Sequence, residues 1–252
     1  MQFIPKDQVE WKKVKYLKEP LTASPEHAVW KYEFMLPRPL ADWDVFDYWE
    51  KERIASMEQH LKKGEVLFDI GTEQGWCNLA YAQMVGPENM VLIEPTKEFW
   101  PNIRATWEKN GLGSPKACLE ALLSNKTNTE NIMMPNQWPQ STNGDLIDRN
   151  KYQYIHENAD HVPEITLDDY IETTRIIPNA LTMDVEGAEL LILRGAEQTL
   201  RNYKPKLFIS IHPDLGERDY SIKKEDTIKF LEDLGYTGEH LATDHEEHWY
   251  FS

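Results

Sequence analysis

From Glu65 onward the chain alternates short unbroken apolar runs with stretches whose apolar residues recur every three or four positions. The runs Glu65–Ile70, Met90–Ile93, Ala117–Leu119, Ala180–Val185 and Lys206–Ile211 predict buried strands. The intervening segments Gly75–Val85, Phe99–Asn110, Leu167–Thr173, Ala188–Leu200 and Lys224–Leu234 predict helices. A strand apolar at every position is covered on both faces, so this alternation predicts an α/β fold whose sheet is mostly parallel and flanked by helices. The last runs, Gly238–Thr243 and His248–Phe251 around Asp244-His245-Glu246-Glu247, read as an antiparallel hairpin at one sheet edge. Residues 1–60 have another texture: aromatic-rich, with Pro5, Pro20, Pro25, Pro37 and Pro39, and little pattern before a helix over Trp43–Leu61. They are expected to form an extension or lid on a main domain at 61–252. Residues 125–163 are polar and Asn-rich without a period, the signature of a long functional loop.

Composition narrows the function classes. The 252 residues carry 27 Lys and Arg against 43 Asp and Glu, a net charge of −16. Apart from Lys12-Lys13-Val14-Lys15 there is no cluster of basic residues, so nucleic acid and anionic lipid are poor partners. No apolar stretch has the length of a membrane span, and the start lacks a signal-peptide core. Cys77, in an expected helix, and Cys118, in an expected strand, have no zinc or redox spacing. They read as free thiols in a reducing cytoplasm.

The most informative stretch is Val66-Leu67-Phe68-Asp69-Ile70-Gly71-Thr72-Glu73-Gln74-Gly75-Trp76. An apolar strand turns through two glycines into a helix, which is where open parallel sheets bind ligands. A dinucleotide site needs a G-x-G-x-x-G loop whose amides cradle pyrophosphate. Here three residues separate Gly71 from Gly75, and one is Glu73, a poor neighbour for pyrophosphate. A ligand with a cationic centre and an α-amino group suits Asp69 and Glu73 better, and S-adenosylmethionine has both. A second strand ends in Glu94, placed to accept hydrogen bonds from two ribose hydroxyls. A nicotinamide dinucleotide is the weaker alternative.

Downstream, Thr166-Leu167-Asp168-Asp169 precedes Asp184-Val185-Glu186-Gly187-Ala188-Glu189 and Leu193-Arg194-Gly195-Ala196. With these blocks, residues 60–240 resemble the FkbM family of S-adenosylmethionine-dependent methyltransferases. The resemblance implies a Rossmann-like class I methyltransferase sheet of seven strands. It implies cofactor contacts from Asp69, Gly71, Glu73, Gly75, Trp76 and Glu94, with Glu120 and Ala121 on the adenine side. It also sets the strand ending at Asp184 between the first strand and the strand ending at His212. Asp184, Glu186 and His212 would then share one rim facing the methyl group. His212 is the expected general base, since an unperturbed imidazole titrates near about 6.5. Many relatives carry an acid two residues before this histidine; this chain has Ser210. A divalent cation bridging Asp184 and His212 is conceivable, but two ligands do not define a site, and no metal is predicted.

The resulting expectation is an O-methyltransferase acting on a neutral hydroxyl of a small molecule or glycan, a sugar above all. Base methylation is disfavoured because Asp-Val-Glu-Gly stands where an Asn/Asp-Pro-Pro-aromatic clamp would be. A binding module of the same fold without turnover is the alternative from another class. Several residues have plainer structural readings. Thr166 caps a helix whose first turn holds Asp168 and Asp169, and Glu189 favours the next helix start. His240, His245, His248, Glu246 and Glu247 read as exposed turn residues. Trp30, Tyr32, Trp43, Tyr48 and Trp49 read as core more readily than as a stacking wall for an acceptor.

Overall fold

The computed structural model describes residues 3–19, 29–42, 50–128, 138–148 and 162–252. The start of the helix expected from Trp43, with Trp43, Tyr48 and Trp49 themselves, lies outside these residues, as does most of the 125–163 segment. The N-terminal region is not patternless. Strands β1 (Trp11–Glu19) and β2 (Val29–Pro37) form an antiparallel pair with Val14 opposite Phe34 and Tyr16 opposite Tyr32. Lys13 and Lys15 alternate with buried Val14 and Tyr16, as Lys31 and Glu33 do with Tyr32, Phe34 and Leu36. This is a period of two obscured by Trp11, which lies with the lysines on the wet face, and by Trp30, only half-buried on the face of Tyr32. Helix α1 (Lys51–His60) follows.

The main sheet is built from β3 (Leu67–Ile70), β4 (Met90–Ile93), β5 (Ala117–Leu119), β6 (Ala180–Asp184), β7 (Lys206–Ile211), β8 (Gly238–Thr243) and β9 (Glu247–Phe251). Its order is β8-β9-β7-β6-β3-β4-β5, with β9 antiparallel to both its neighbours. The expected mostly parallel sheet with an antiparallel C-terminal hairpin is therefore present. The order reverses between β3 and β6, and ligands of open α/β sheets bind beyond the carboxyl ends of strands at such a switch point.

Alternate strand residues feed two cores. Leu67, Met90, Leu92, Cys118, Ala180 and Phe208 pack on one face with the N-terminal hairpin and α1. Helices α2 (Cys77–Val85) and α3 (Trp100–Lys109) lie on that side too. Phe68, Ile70, Val91, Ile93, Leu181 and Met183 pack on the other face. There they meet residues of α4 (Leu167–Thr174), α5 (Glu189–Arg194), α6 (Glu197–Tyr203) and α8 (Lys224–Asp233). Helix α7 (Pro213–Tyr220), which has few apolar residues and buries only Gly216, follows directly on the end of β7.

The single helix expected over Ala188–Leu200 is two, α5 and α6. A Cβ on Gly195, between them, would lie 2.0 Å from the carbonyl oxygen of Ser124. That close approach needs glycine and interrupts the helix. Asp168 then accepts hydrogen bonds from the amides of Gln198 and Thr199 and from the Thr199 hydroxyl. It thus caps α6 rather than only its own helix, while Thr166 caps α4 by accepting from the Asp169 amide at 3.0 Å.

The two cysteines are free, Cys77 opening α2 and Cys118 within β5. No helix among the described residues is long and apolar enough to cross a membrane. The N-terminal hairpin joins the main core through Trp76, whose ring meets Tyr16 edge-on at 5.3 Å. Trp76→Ala is expected to cost about 3–5 kcal/mol by leaving a cavity in that seam. Urea unfolding monitored by circular dichroism measures it, and a loss below about 1 kcal/mol would mean the hairpin is not held there.

Candidate active site

The loop after β3 is built on close backbone contact. Gly71 has φ of +86°, and a Cβ there would stand 1.9 Å from the carbonyl oxygen of Asp184. No side chain fits, so the glycine loop and the end of β6 touch directly. Glu73, also left-handed at φ of 49°, turns its amide toward the carboxylate of Glu94 at 2.9 Å. The other oxygen of Glu94 accepts the Thr96 amide at 2.7 Å. Burial pushes the Glu94 carboxyl up to about 7 against these bonds. The Thr96 hydroxyl adds to these bonds, and Oε2, which takes the Glu73 amide, can accept a further donor.

Asp69 lies beneath the loop, buried, with the Thr72 hydroxyl donating to its carboxylate. Its carboxyl is likewise raised by burial to about 7. Gly75 has φ of +78° and begins the turn into α2. The indole of Trp76 is in the core against Tyr16, so its side chain is a packing element rather than a loop surface. Past β5, Glu120 accepts a hydrogen bond from Ser141, and Ala121 is buried. The 138–148 segment is further tied to α3 by Asn102, whose amide bonds both the N–H and the C=O of Ile147.

Across the switch point stands a dense ionic cluster. His212 Nε2 is 3.5 Å from Asp184 Oδ1 and 3.8 Å from Glu186 Oε2. The three expected rim residues are thus brought together. Two more carboxylates hold the same ring: Glu189 Oε1 lies 2.9 Å from Nδ1, and Glu246 Oε2 lies 2.6 Å from Nε2. Glu189 also accepts the Gly187 amide at 3.0 Å, while Glu186, 62% exposed, is the solvent-side member.

Charge settles the protonation of the ring. Burial alone lowers the pKa of an imidazole, but the bonds to Glu189 and Glu246 and the charge of Asp184 outweigh it and raise His212 to about 11. In turn, His212 outweighs burial at Glu246 and lowers its carboxyl to about 2. Burial, with the neighbouring charges of Glu246 and Glu50, raises Asp184 well above the usual carboxylate range. His212 is therefore not the free imidazole that its ordinary pKa suggests: near neutrality it is an imidazolium clamped between carboxylates.

Behind Asp184, α1 delivers a buried guanidinium. Arg53 bonds Glu50 and lies 3.3 Å from both Thr182 Oγ1 and the Tyr81 hydroxyl, with Nη2 3.9 Å from Asp184 Oδ2. Cys77 sits beside this pair, and burial pushes its thiol up, which keeps it from acting as a nucleophile.

Three of these residues escape a local reading. Glu246 and His248, read as exposed turn residues, are buried. Antiparallel register pairs Ser210 with His248 and Ile211 with Glu247, which carries Glu246 alongside His212. His248 bonds Ser210 at 3.0 Å and Asp244 at 3.2 Å. The Asp-His-Glu-Glu-His run was the available signal, yet its partner lies some thirty residues away across the sheet. Arg53 had no signal beyond its helix. Tyr32, read as core, is buried, and its hydroxyl donates to Glu58 at 2.5 Å, whereas Trp30 is half-buried.

The comparisons with known proteins agree with this architecture. The model of the Methyltransferase FkbM domain matches residues 69–237. A solved methyltransferase FkbM from Methylobacillus flagellatus KT superposes with a TM-score of 0.54 at 19% identity, covering 77% of this chain and 44% of that one. The chain thus spans less than half the length of that relative. A ribosomal protein L11 methylase from Lactobacillus delbrueckii subsp. bulgaricus gives a TM-score of 0.47 at 10% identity, covering 80% of this chain and 76% of that one. No functionally curated protein matches the sequence.

The Gly71 contact can be tested directly. Gly71→Ala is expected to destabilise the fold by about 1–3 kcal/mol, because a methyl group must push the end of β6 away. Thermal melting gives the cost. Unchanged stability would show that the loop and β6 do not touch.

Proposed function

The chain belongs to the FkbM methyltransferase family, and on that premise we propose that it is an S-adenosylmethionine-dependent O-methyltransferase acting on a neutral hydroxyl. The observation that carries this reading is the Gly71–Asp184 contact, which places the glycine loop against the acidic rim. The acceptor class is a small molecule or glycan, with sugars favoured. An anionic acceptor is disfavoured because Asp184, Glu186, Glu189 and Glu246 crowd around His212, and Arg53, the guanidinium behind Asp184, is engaged by Glu50.

The donor set suits the cofactor. Glu94 would take the ribose hydroxyls on its remaining lone pairs, Glu73 and Asp69 would face the cationic amino-acid end, and Glu120 and Ala121 would border the adenine. Carboxylates in these places oppose a pyrophosphate, which speaks against a nicotinamide cofactor. The cofactor supplies an electrophilic methyl group on a sulfonium centre. The chain's own task is to align an oxygen lone pair with that group and to receive the hydroxyl proton. Asp184, at the rim and 29% exposed, is positioned to hold the hydroxyl and, in its ionised form, to accept its proton, for which its raised pKa makes it the stronger base. Glu186 would bind from the solvent side, and His212 fixes the carboxylates around it. Residues 1–60 contribute as an extension that supplies Arg53 behind Asp184. The free thiols suit a reducing cytoplasm.

Calorimetric titration with S-adenosylmethionine and with its demethylated product tests the reading; absence of binding by both would refute it. Glu94→Gln is expected to weaken binding about 10–100-fold, the range for hydrogen bonds to a charged group. Since the ionised form of Glu94 is the better acceptor and its carboxyl titrates at about 7, affinity should fall as the pH drops below that value. In Glu94→Gln this dependence should become shallower, leaving the share that Asp69 carries, since its carboxyl also titrates at about 7; an unchanged slope would show that Glu94 does not contribute to it.

A further inference from the structure

Asp184, His212 and Glu246 each present one metal-ligand atom, and the three atoms lie within 4.8 Å of one another. We propose that they form a binding site for a divalent cation of the manganese type. One imidazole nitrogen with two carboxylate oxygens is a donor set that such an ion accepts. Bonds of about 2.0–2.2 Å set neighbouring ligands about 3–3.6 Å apart, and Asp184 Oδ1 stands 3.5 Å from His212 Nε2.

The surroundings are those of a ligand cluster rather than of a chance group of acids. Glu189 holds Nδ1 of His212 at 2.9 Å and so turns Nε2 toward the other two ligands. A carboxylate behind a histidine in this way fixes the tautomer and orientation of a metal ligand. Glu246 is only 3% exposed, yet its Oε1 has no hydrogen-bond partner. Its nearest basic neighbour, His248 Nδ1, stands 3.8 Å away, too far for a hydrogen bond; a buried carboxylate oxygen left without one is costly, and a cation satisfies it.

Local charge favours the same occupant. The ring faces Asp184, Glu186, Glu189 and Glu246, and Arg53, 3.9 Å from Asp184, is already engaged by Glu50. When the ion binds, it replaces the proton shared by His212 Nε2 and Glu246 Oε2; that proton passes to solvent, and the two atoms, now 2.6 Å apart, move apart to ligand spacing. The second set of neighbouring ligands, Asp244, His245 and Glu246, is less suited, since its first two members are exposed. Positions on the ion that the protein leaves open would orient and acidify an acceptor hydroxyl. That consequence rests on the methyl-transfer reading above; the site itself does not.

The experiment uses the full chain stripped with a chelator and titrated with Mn²⁺ alone, with the free-ion signal followed by electron paramagnetic resonance. One ion per chain is expected. Asp184→Asn and Glu246→Gln should each weaken binding at least about tenfold, and Glu189→Gln about 10–100-fold through loss of ring orientation. Circular dichroism confirms folding, and the part-exposed Asp184 makes its near-isosteric variant the safest of the three. Asp244→Asn should leave binding intact. Absence of Mn²⁺ binding, unchanged affinity in Asp184→Asn, or loss in Asp244→Asn in its place would overturn the proposal. Titration of the same samples with the demethylated cofactor separates the two readings: Mn²⁺ without cofactor binding defeats the proposed function alone, and the reverse defeats the metal site alone.

Discussion

Everything at the site depends on one backbone contact, the approach of Gly71 to the carbonyl of Asp184. Parallel pairing of β3 with β6 sets Met183 opposite Ile70, so the next residue on each strand is Asp184 on one side and Gly71 on the other. A residue with a Cβ would force the strand ends apart at the point where the sheet order reverses. Absence of a side chain thus joins the loop that reads as cofactor-binding to the rim that reads as acceptor-binding. Gly195 acts similarly against Ser124, interrupting a helix so that Asp168 can cap the next one. The glycines and acids of the family's motifs are in this sense half structural.

The second organising feature is buried charge. Residues 151–252 hold −11 of the net −16, and the rim draws on that half for Asp184, Glu186, Glu189 and Glu246. A single histidine among four carboxylates is stabilised as a cation, which turns an expected base into an electrostatic anchor. Acidity that first argues against nucleic acid therefore has a specific use: it keeps a buried imidazolium in place and leaves room for further positive charge.

Much of this was legible locally. The apolar runs located the five parallel strands, the Gly71–Gly75 spacing located the turn from β3 into α2, and Asp184, Glu186 and His212 do converge. What escaped were features set by pairing over distance. Glu246 reaches His212 only because β9 runs back along β7 in a register that no local period encodes. Arg53 enters from a helix outside the matched motifs. The β1–β2 hairpin had its alternation of two, but Trp11, Trp30 and the prolines blurred it. Glu189 was visible as a helix-start acid, and it does bond the Gly187 amide; its second bond, to His212, needed the fold.

The most direct measurement is a crystal structure of the chain with the demethylated cofactor. The account predicts the ribose hydroxyls on Glu94 and the sulfur turned toward the rim of Asp184 and His212. A ligand seated elsewhere, or in this cleft with its sulfur facing away from that rim, would contradict it.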